Sequence, residues 1–82
     1  MTPEEVKQLI EKGIPDAEVH VTGEGGKFEA TVVSEAFAGL TPVKEHQLVY
    51  GTVQEQISAG ALHALSIKAY TPDEWRSGPG AP

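Results

Sequence analysis

The chain has 82 residues, enough for one compact domain, and its twelve acidic and six basic residues give a formal net charge of −6. It contains no cysteine, which excludes disulfides and thiolate nucleophiles and leaves histidine and carboxylates as metal ligands. There is no long apolar run and Met1–Glu5 is acidic, so we expect a cytoplasmic protein with neither a membrane-spanning helix nor a secretory signal. The acidic balance favours protein partners over nucleic acid.

The N-terminal half of the chain predicts one helix and a β-hairpin. Thr2–Glu5 combines a capping box with proline at the first helical position, and Gly13 ends the predicted helix. Apolar and polar residues then alternate over 17–22 and again over 28–32, which predicts two strands that each bury one face. The glycine-rich segment between them is typical of a turn, so the two strands should pair antiparallel.

The C-terminal half predicts two short helices, a third strand and a terminal helical turn. Thr41–Pro42 opens the first of these helices with a cap followed by proline, and Gly51 breaks it. Thr52–Glu55 forms another capping box and begins the next helix. The period then returns to two in a strand over 65–70, and Thr71–Trp75 repeats the capping pattern.

These elements predict a two-layer α+β domain with a three-stranded mixed sheet. The helix pair before the last strand is long enough for a crossover that returns this strand parallel to the second one. All helices would then cover one face of the sheet. On the open face we expect His20, Glu29, Thr31 and Lys68. One domain should span residues 1–76, and the tail, residues 77–82, is rich in Gly and Pro and should be disordered.

Two stretches of the sequence resemble the BolA family. The first comprises Val32–Phe37 and continues through Val43–Tyr50, and the second runs over Leu62–Trp75. The second stretch is the more specific one, because a histidine before an A-L-S-I-K strand and a following T-P-x-E-W are both typical of the family. The resemblance covers nearly the whole chain except the tail and fits the short bacterial branch best. It implies a class II KH-like fold with the element order given above.

The resemblance implies two activities, neither of them enzymatic. Members pair with monothiol glutaredoxins through a shared two-iron two-sulfur cluster, in iron–sulfur trafficking or redox sensing. They are also associated with DNA-binding transcriptional regulation of stress response and cell shape, through a helix-turn-helix-like segment. The sequence contains no phosphate loop, zinc motif or spaced triad. We therefore expect a non-enzymatic binding protein that is a monomer or weak homodimer when alone.

By resemblance, His63 is the histidine that ligates the shared cluster. Imidazole can replace thiolate on iron and raises the cluster potential. The residues alone favour another interpretation, in which His63 is a partly buried, hydrogen-bonded histidine at a strand end. The reason is that His63 would point to the same side of the strand as Leu65 and Ile67. The second ligand is unknown. Lys27 stands where relatives often carry Cys or His, and a protonated lysine has no lone pair to donate.

Further residues are candidates for contact with nucleic acid or a partner. They are Lys44, His46, Lys68 and Arg76. His46 matches a histidine often found on the family's second helix, but its spacing from Val43 and Tyr50 favours a packed histidine on one helical stripe. Lys44 is the single Lys or Arg between positions 41 and 60, so DNA binding rests on the resemblance alone. Three hypotheses remain: a glutaredoxin partner with a shared cluster, a DNA-binding regulator, and a scaffold in which both activities are weak.

Overall fold

Residues 1–78 are described by a computed structural model and form four α-helices and a three-stranded sheet. In chain order the elements are α1 (Pro3–Gly13), β1 (Glu18–Glu24), β2 (Lys27–Val33), a 3-10 turn (Glu35–Phe37), α2 (Pro42–Thr52), α3 (Gln54–Ser58), β3 (Ala64–Tyr70) and α4 (Pro72–Ser77). The predicted α+β class, the order of the elements and the mixed sheet are confirmed. None of the helices within residues 1–78 is long and apolar enough to cross a bilayer. Ser77 belongs to α4, and residues 79–82 of the predicted tail lie outside the described residues.

Both α1 and α4 begin with the capping box that the sequence predicts. At α1 the Thr2 hydroxyl accepts a hydrogen bond from the Glu5 N–H at 3.2 Å, and the Glu5 carboxylate accepts one from the Thr2 N–H at 2.8 Å. Thr71 and Glu74 form the same pair of bonds at α4. The hydrogen bond that the Thr2 N–H donates to the Glu5 carboxylate, followed by the contact with the Thr2 side chain, holds the pKa of Glu5 below its ordinary value.

The junction between α2 and α3 differs from the sequence prediction. α2 continues through Gly51 to Thr52, and the Thr52 hydroxyl donates to the Val49 carbonyl at 2.6 Å instead of capping α3. α3 follows Val53, which makes no side-chain cap. The predicted break at Gly51 and the predicted capping box at Thr52 are therefore wrong. Glycine inside a helix costs about 1 kcal/mol, and this cost is offset because Val49 and Val53 are both completely buried.

β2 is the central strand of the sheet. β1 pairs with it antiparallel, with Val21 opposite Ala30, and β3 pairs with it parallel, with Ile67 opposite the same residue. The predicted hairpin and the predicted crossover are thereby confirmed. Because β3 has a neighbour on one side only, it is an edge strand, and its first residue follows His63.

The hydrophobic core lies between one face of the sheet and helices α1 to α3. Its buried members are Val6, Ile10, Ile14, Val19, Phe28, Ala30, Val32, Phe37, Val49, Val53, Leu62 and Leu65. The strand members follow the predicted alternation, so the sheet has one apolar face and one face that carries polar side chains.

Trp75 of α4 lies on this second face, opposite the core. Its ring stacks on the His20 ring, with the two ring centroids 6.0 Å apart. It also packs at a tilt against the Tyr70 ring, with a centroid distance of 5.5 Å. His20 Nε2 also lies 2.8 Å from a carboxylate oxygen of Glu18. The prediction that all helices cover one face is therefore correct for α1 to α3 and wrong for α4. The tryptophan of α4 packs on the opposite face, which carries His20 and Lys68.

Two valines on α2 test this packing. Val49→Ala is expected to lower the free energy of unfolding by about 2–3 kcal/mol, because it removes buried methyl groups and leaves a cavity. Val43→Ala on the same helix is the matched control, because Val43 is 66% exposed, and it should change stability by no more than about 0.5 kcal/mol. Urea denaturation measures both values. Equal losses from the two substitutions would contradict the orientation of α2.

Candidate functional site

His63 lies where the hairpin turn meets the start of β3. Its backbone N–H donates to the Gly26 carbonyl at 2.8 Å, and the N–H of Ala64 donates to the same carbonyl at 3.1 Å. Gly25 and Gly26 form the two-residue turn between β1 and β2, and both have positive φ, as this tight hairpin turn requires. The backbone of His63 is therefore held by the turn on one side and by β3 on the other.

The imidazole of His63 is exposed to solvent. Within residues 1–78, neither of its ring nitrogens forms a hydrogen bond or an ion pair with another group. The partly buried, hydrogen-bonded histidine that the strand parity favours is therefore wrong. When neutral, such a ring has a nitrogen lone pair that is accessible to an external metal ion.

Lys27 stands at the position that the resemblance suggests for a second ligand, and its backbone is close to that of His63. It is the first residue of β2, its register partner on β3 is Ala64, and its side chain is exposed. In the described part of the chain no carboxylate forms an ion pair with it. The register brings the backbone of position 27 next to that of His63, but the residue there is a lysine, and it lines a pocket that His63 does not line.

The donor set near His63 does not complete a metal site. Among residues 1–78 no group of three or more His, Asp or Glu side chains converges. A shallow pocket of about 320 Å³ opens on the polar face of the sheet beside Lys27, and hydroxyl, carboxylate and ammonium groups line it. Its lining residues are Thr22, Gly23, Lys27, Phe28, Glu29, Ala64 and Ser66. The site therefore presents one exposed imidazole, and the described residues place no set of further donors around it.

Tyr50 ties α2 to the start of β3, which the sequence does not predict. Its hydroxyl donates to the carbonyl of Leu65 at 2.8 Å. This carbonyl belongs to the edge strand two residues after His63, so the bond satisfies a polar group that the sheet leaves unpaired. No local pattern signals this contact, because 15 positions of chain separate its two residues.

His46 is exposed on α2, so the packed histidine favoured by its spacing is wrong. Its two predicted stripe neighbours, Val43 and Tyr50, are exposed as well, and the buried side of α2 carries Val49 instead. The spacing thus predicts the wrong buried side of this helix, because α2 carries apolar residues on both sides.

The four residues predicted to contact nucleic acid or a partner do not share one surface. Lys44 and His46 lie exposed on α2, in the helical layer. Lys68 has the opposite alternation from the core residues of β3 and lies on the polar face of the sheet. Arg76 lies on α4 and forms an ion pair with Asp73. The sheet therefore separates Lys68 from the two candidates on α2.

The fold and the site together define a small two-layer α+β module that presents an imidazole at the start of an edge strand. A family model described as BolA-like protein matches residues 6–74. The chain therefore belongs to the BolA-like protein family, as its sequence resemblance predicts.

Relatives and solved structures agree with this assignment. The acid stress protein IbaG of Escherichia coli strain K12 is 43% identical over 75 residues, which are 92% of this chain and 89% of the relative. The DNA-binding transcriptional regulator BolA of Vibrio cholerae is 43% identical over 67 residues, which are 79% of this chain and 62% of the relative. The structure of a bolA protein homologue from Coxiella burnetii is similar with a TM-score of 0.85 and 39% identity, and the match covers 93% of this chain and 97% of that one.

Glu45 lies between the two candidate residues of α2 and has an altered pKa. Partial burial, followed by the Glu74 carboxylate, raises the pKa of Glu45 above 4.5, and His46 acts in the opposite direction. The folded state therefore holds this proton more tightly than the unfolded state, and stability falls as the pH rises from 4.5 through the raised pKa.

Glu45→Gln removes this carboxyl group and therefore its contribution to the pH dependence of stability. The variant should be more stable than the unchanged protein near neutral pH, and the difference should vanish as the pH falls below 4.5. Urea denaturation at several pH values measures it. Glu55→Gln, at an exposed position of α3, controls for the loss of one negative charge from an acidic chain. An equal gain from both substitutions would contradict a local origin.

Proposed function

We propose that this protein binds a monothiol glutaredoxin and that His63 donates one ligand to a two-iron two-sulfur cluster shared by the two proteins. The observation that carries the proposal is the His63 ring, which is exposed and forms no hydrogen bond within residues 1–78 while its backbone is held by Gly26 and β3. Because the ring is already exposed, a partner can reach it without unfolding any part of the domain.

The role of His63 is to coordinate through a neutral imidazole nitrogen. A histidine ligand in place of a thiolate raises the reduction potential of an iron–sulfur cluster, which is the chemistry that the bound group would supply. The chain contains no cysteine, so thiolate ligands come from the partner. Lys27 cannot ligate while it is protonated.

The relatives favour a setting in stress response for this partnership. One of them is named an acid stress protein, and its match covers 92% of this chain. We therefore propose that the protein acts as a non-enzymatic adaptor in iron–sulfur trafficking or redox sensing under stress. The net charge of −6 supports a partner that presents a basic surface.

Anaerobic co-purification with a monothiol glutaredoxin tests the proposal. The complex should show the visible absorption and circular dichroism of a two-iron two-sulfur cluster, and His63→Ala should change the spectrum and speed loss of the cluster. His20→Ala is the matched control, because His20 is also an exposed histidine but lies on β1, where it stacks on Trp75. A spectrum that His63→Ala leaves unchanged would show that His63 is not a ligand, and absence of a complex would remove the partnership.

A DNA-binding regulator is the second proposed function. It is favoured by the name of the Vibrio cholerae relative and by the exposure of Lys44 and His46 on α2. It is disfavoured by the position of Glu45 between them and by Lys68 on the other side of the sheet. These charges leave few groups on α2 that can pair with phosphates.

The salt dependence of DNA affinity separates this function from the first. Lys44→Ala should weaken binding and lower the slope of log affinity against log salt by about 1, because one phosphate contact is lost. Lys12→Ala on α1 is the control, since this residue is also exposed but lies outside the helix pair. Fluorescence anisotropy over a salt series measures both slopes. Equal slopes for the two variants would exclude α2 as the DNA-contacting helix.

A further inference from the structure

Gly26 accepts a hydrogen bond from the His63 backbone through its carbonyl, and the His63 ring lies where a side chain at position 26 would stand. We propose that Gly26 is a positioning residue, which holds the His63 imidazole in one direction so that its nitrogens face a partner. This inference rests on the proposed function for its purpose, but the geometry that it describes is measurable on the isolated protein.

The carbonyl of Gly26 fixes the backbone of His63. It accepts hydrogen bonds from two successive N–H groups, those of His63 at 2.8 Å and Ala64 at 3.1 Å. His63 precedes the first residue of β3, so no regular strand pairing holds its backbone. These two hydrogen bonds hold it against the hairpin turn instead. The pair of bonds sets the direction in which the Cα–Cβ bond of His63 leaves the backbone.

The absence of a side chain at Gly26 leaves room for the His63 ring beside the hairpin turn. A Cβ atom at position 26 would overlap Cδ2 of His63 and would lie 3.3 Å from Cγ and 3.4 Å from Nε2. The ring therefore occupies the space that a side chain at position 26 would fill, so a larger residue there would displace it. Because the overlap is centred on Cδ2, the contact orients the ring without a hydrogen bond to either nitrogen.

Pre-orientation of an exposed ligand has a clear physical value. A free histidine side chain loses rotamer entropy when it coordinates, and a ring that is already held loses less. Groups that orient a metal ligand typically change metal affinity about 10–100-fold when they are removed. Gly26 is such a group, although it touches neither the partner nor the metal.

Gly25 provides an internal control for this role. Both glycines have positive φ, +65° at Gly25 and +81° at Gly26, so alanine is strained at either position. A Cβ at Gly25 would have no atom within 4 Å. Gly25→Ala and Gly26→Ala therefore share the backbone strain, and Gly26→Ala alone displaces the His63 ring.

The experiment begins with NMR spectra of the isolated protein. In the unchanged protein we expect a nuclear Overhauser effect between the Gly26 α-protons and His63 Hδ2. Gly25→Ala should keep this contact, and Gly26→Ala should shift the His63 Hδ2 and Hε1 resonances. Both substitutions should lower the melting temperature by about 4–8 °C, the shift expected from about 1 kcal/mol of strain in a domain of this size.

The second measurement uses the cluster-loaded complex with a monothiol glutaredoxin. Gly26→Ala should release the cluster to a chelator about 10–100-fold faster than Gly25→Ala does, as expected for a lost orienting group. His63→Ala in the background of each glycine variant should abolish the difference between them, because the ring that distinguishes the two positions is gone.

Each outcome decides one of the two proposals. Identical His63 resonances in the two glycine variants would overturn the positioning role, whatever the complex does. Displaced resonances in a protein that forms no cluster with glutaredoxin would support the positioning geometry and remove the proposed function. If Gly26→Ala alone fails to fold, folding of the double variant with His63→Ala supports the ring contact, and failure of both overturns it.

Discussion

The parallel pairing of β3 with β2 is the interaction on which both the fold and the candidate site depend. It begins where the Gly26 carbonyl accepts the N–H groups of His63 and Ala64, and it ends where Ser34 N–H donates to the Tyr70 carbonyl at 2.9 Å. The strand brought back by the crossover buries Leu65 against the core. The same pairing places His63 beside the hairpin turn, so the site is a direct consequence of the sheet topology.

The edge position of β3 explains the contacts that surround it. An edge strand exposes unpaired carbonyl and N–H groups, and Tyr50 satisfies one of these carbonyls at Leu65. At the other end of β3, Trp75 folds α4 back onto the polar face against Tyr70 and His20. Both ends of the strand are thereby tied to helices, while His63 remains exposed.

The distribution of charge bears differently on the two proposed functions. Coordination by His63 requires only one neutral imidazole and a partner that supplies the other ligands. DNA binding requires several cations on one surface, and the described residues place Lys44 in the helical layer, Lys68 on the polar face of the sheet and Arg76 in an ion pair with Asp73. The structure is therefore easier to reconcile with a protein partner than with a duplex.

The sequence by itself determined the class of fold, the order of its elements and the capping boxes at Thr2 and Thr71, because these depend on local periodicity and on bonds between residues three positions apart. Only the tertiary structure decided the continuation of α2 through Gly51 and the exposure of His46, since core burial outweighs local propensity. It also decided that His63 is exposed, whereas strand parity predicted a partly buried, hydrogen-bonded histidine. The contact with Gly26 joins residues 37 positions apart, and no local pattern encodes a contact made through the sheet.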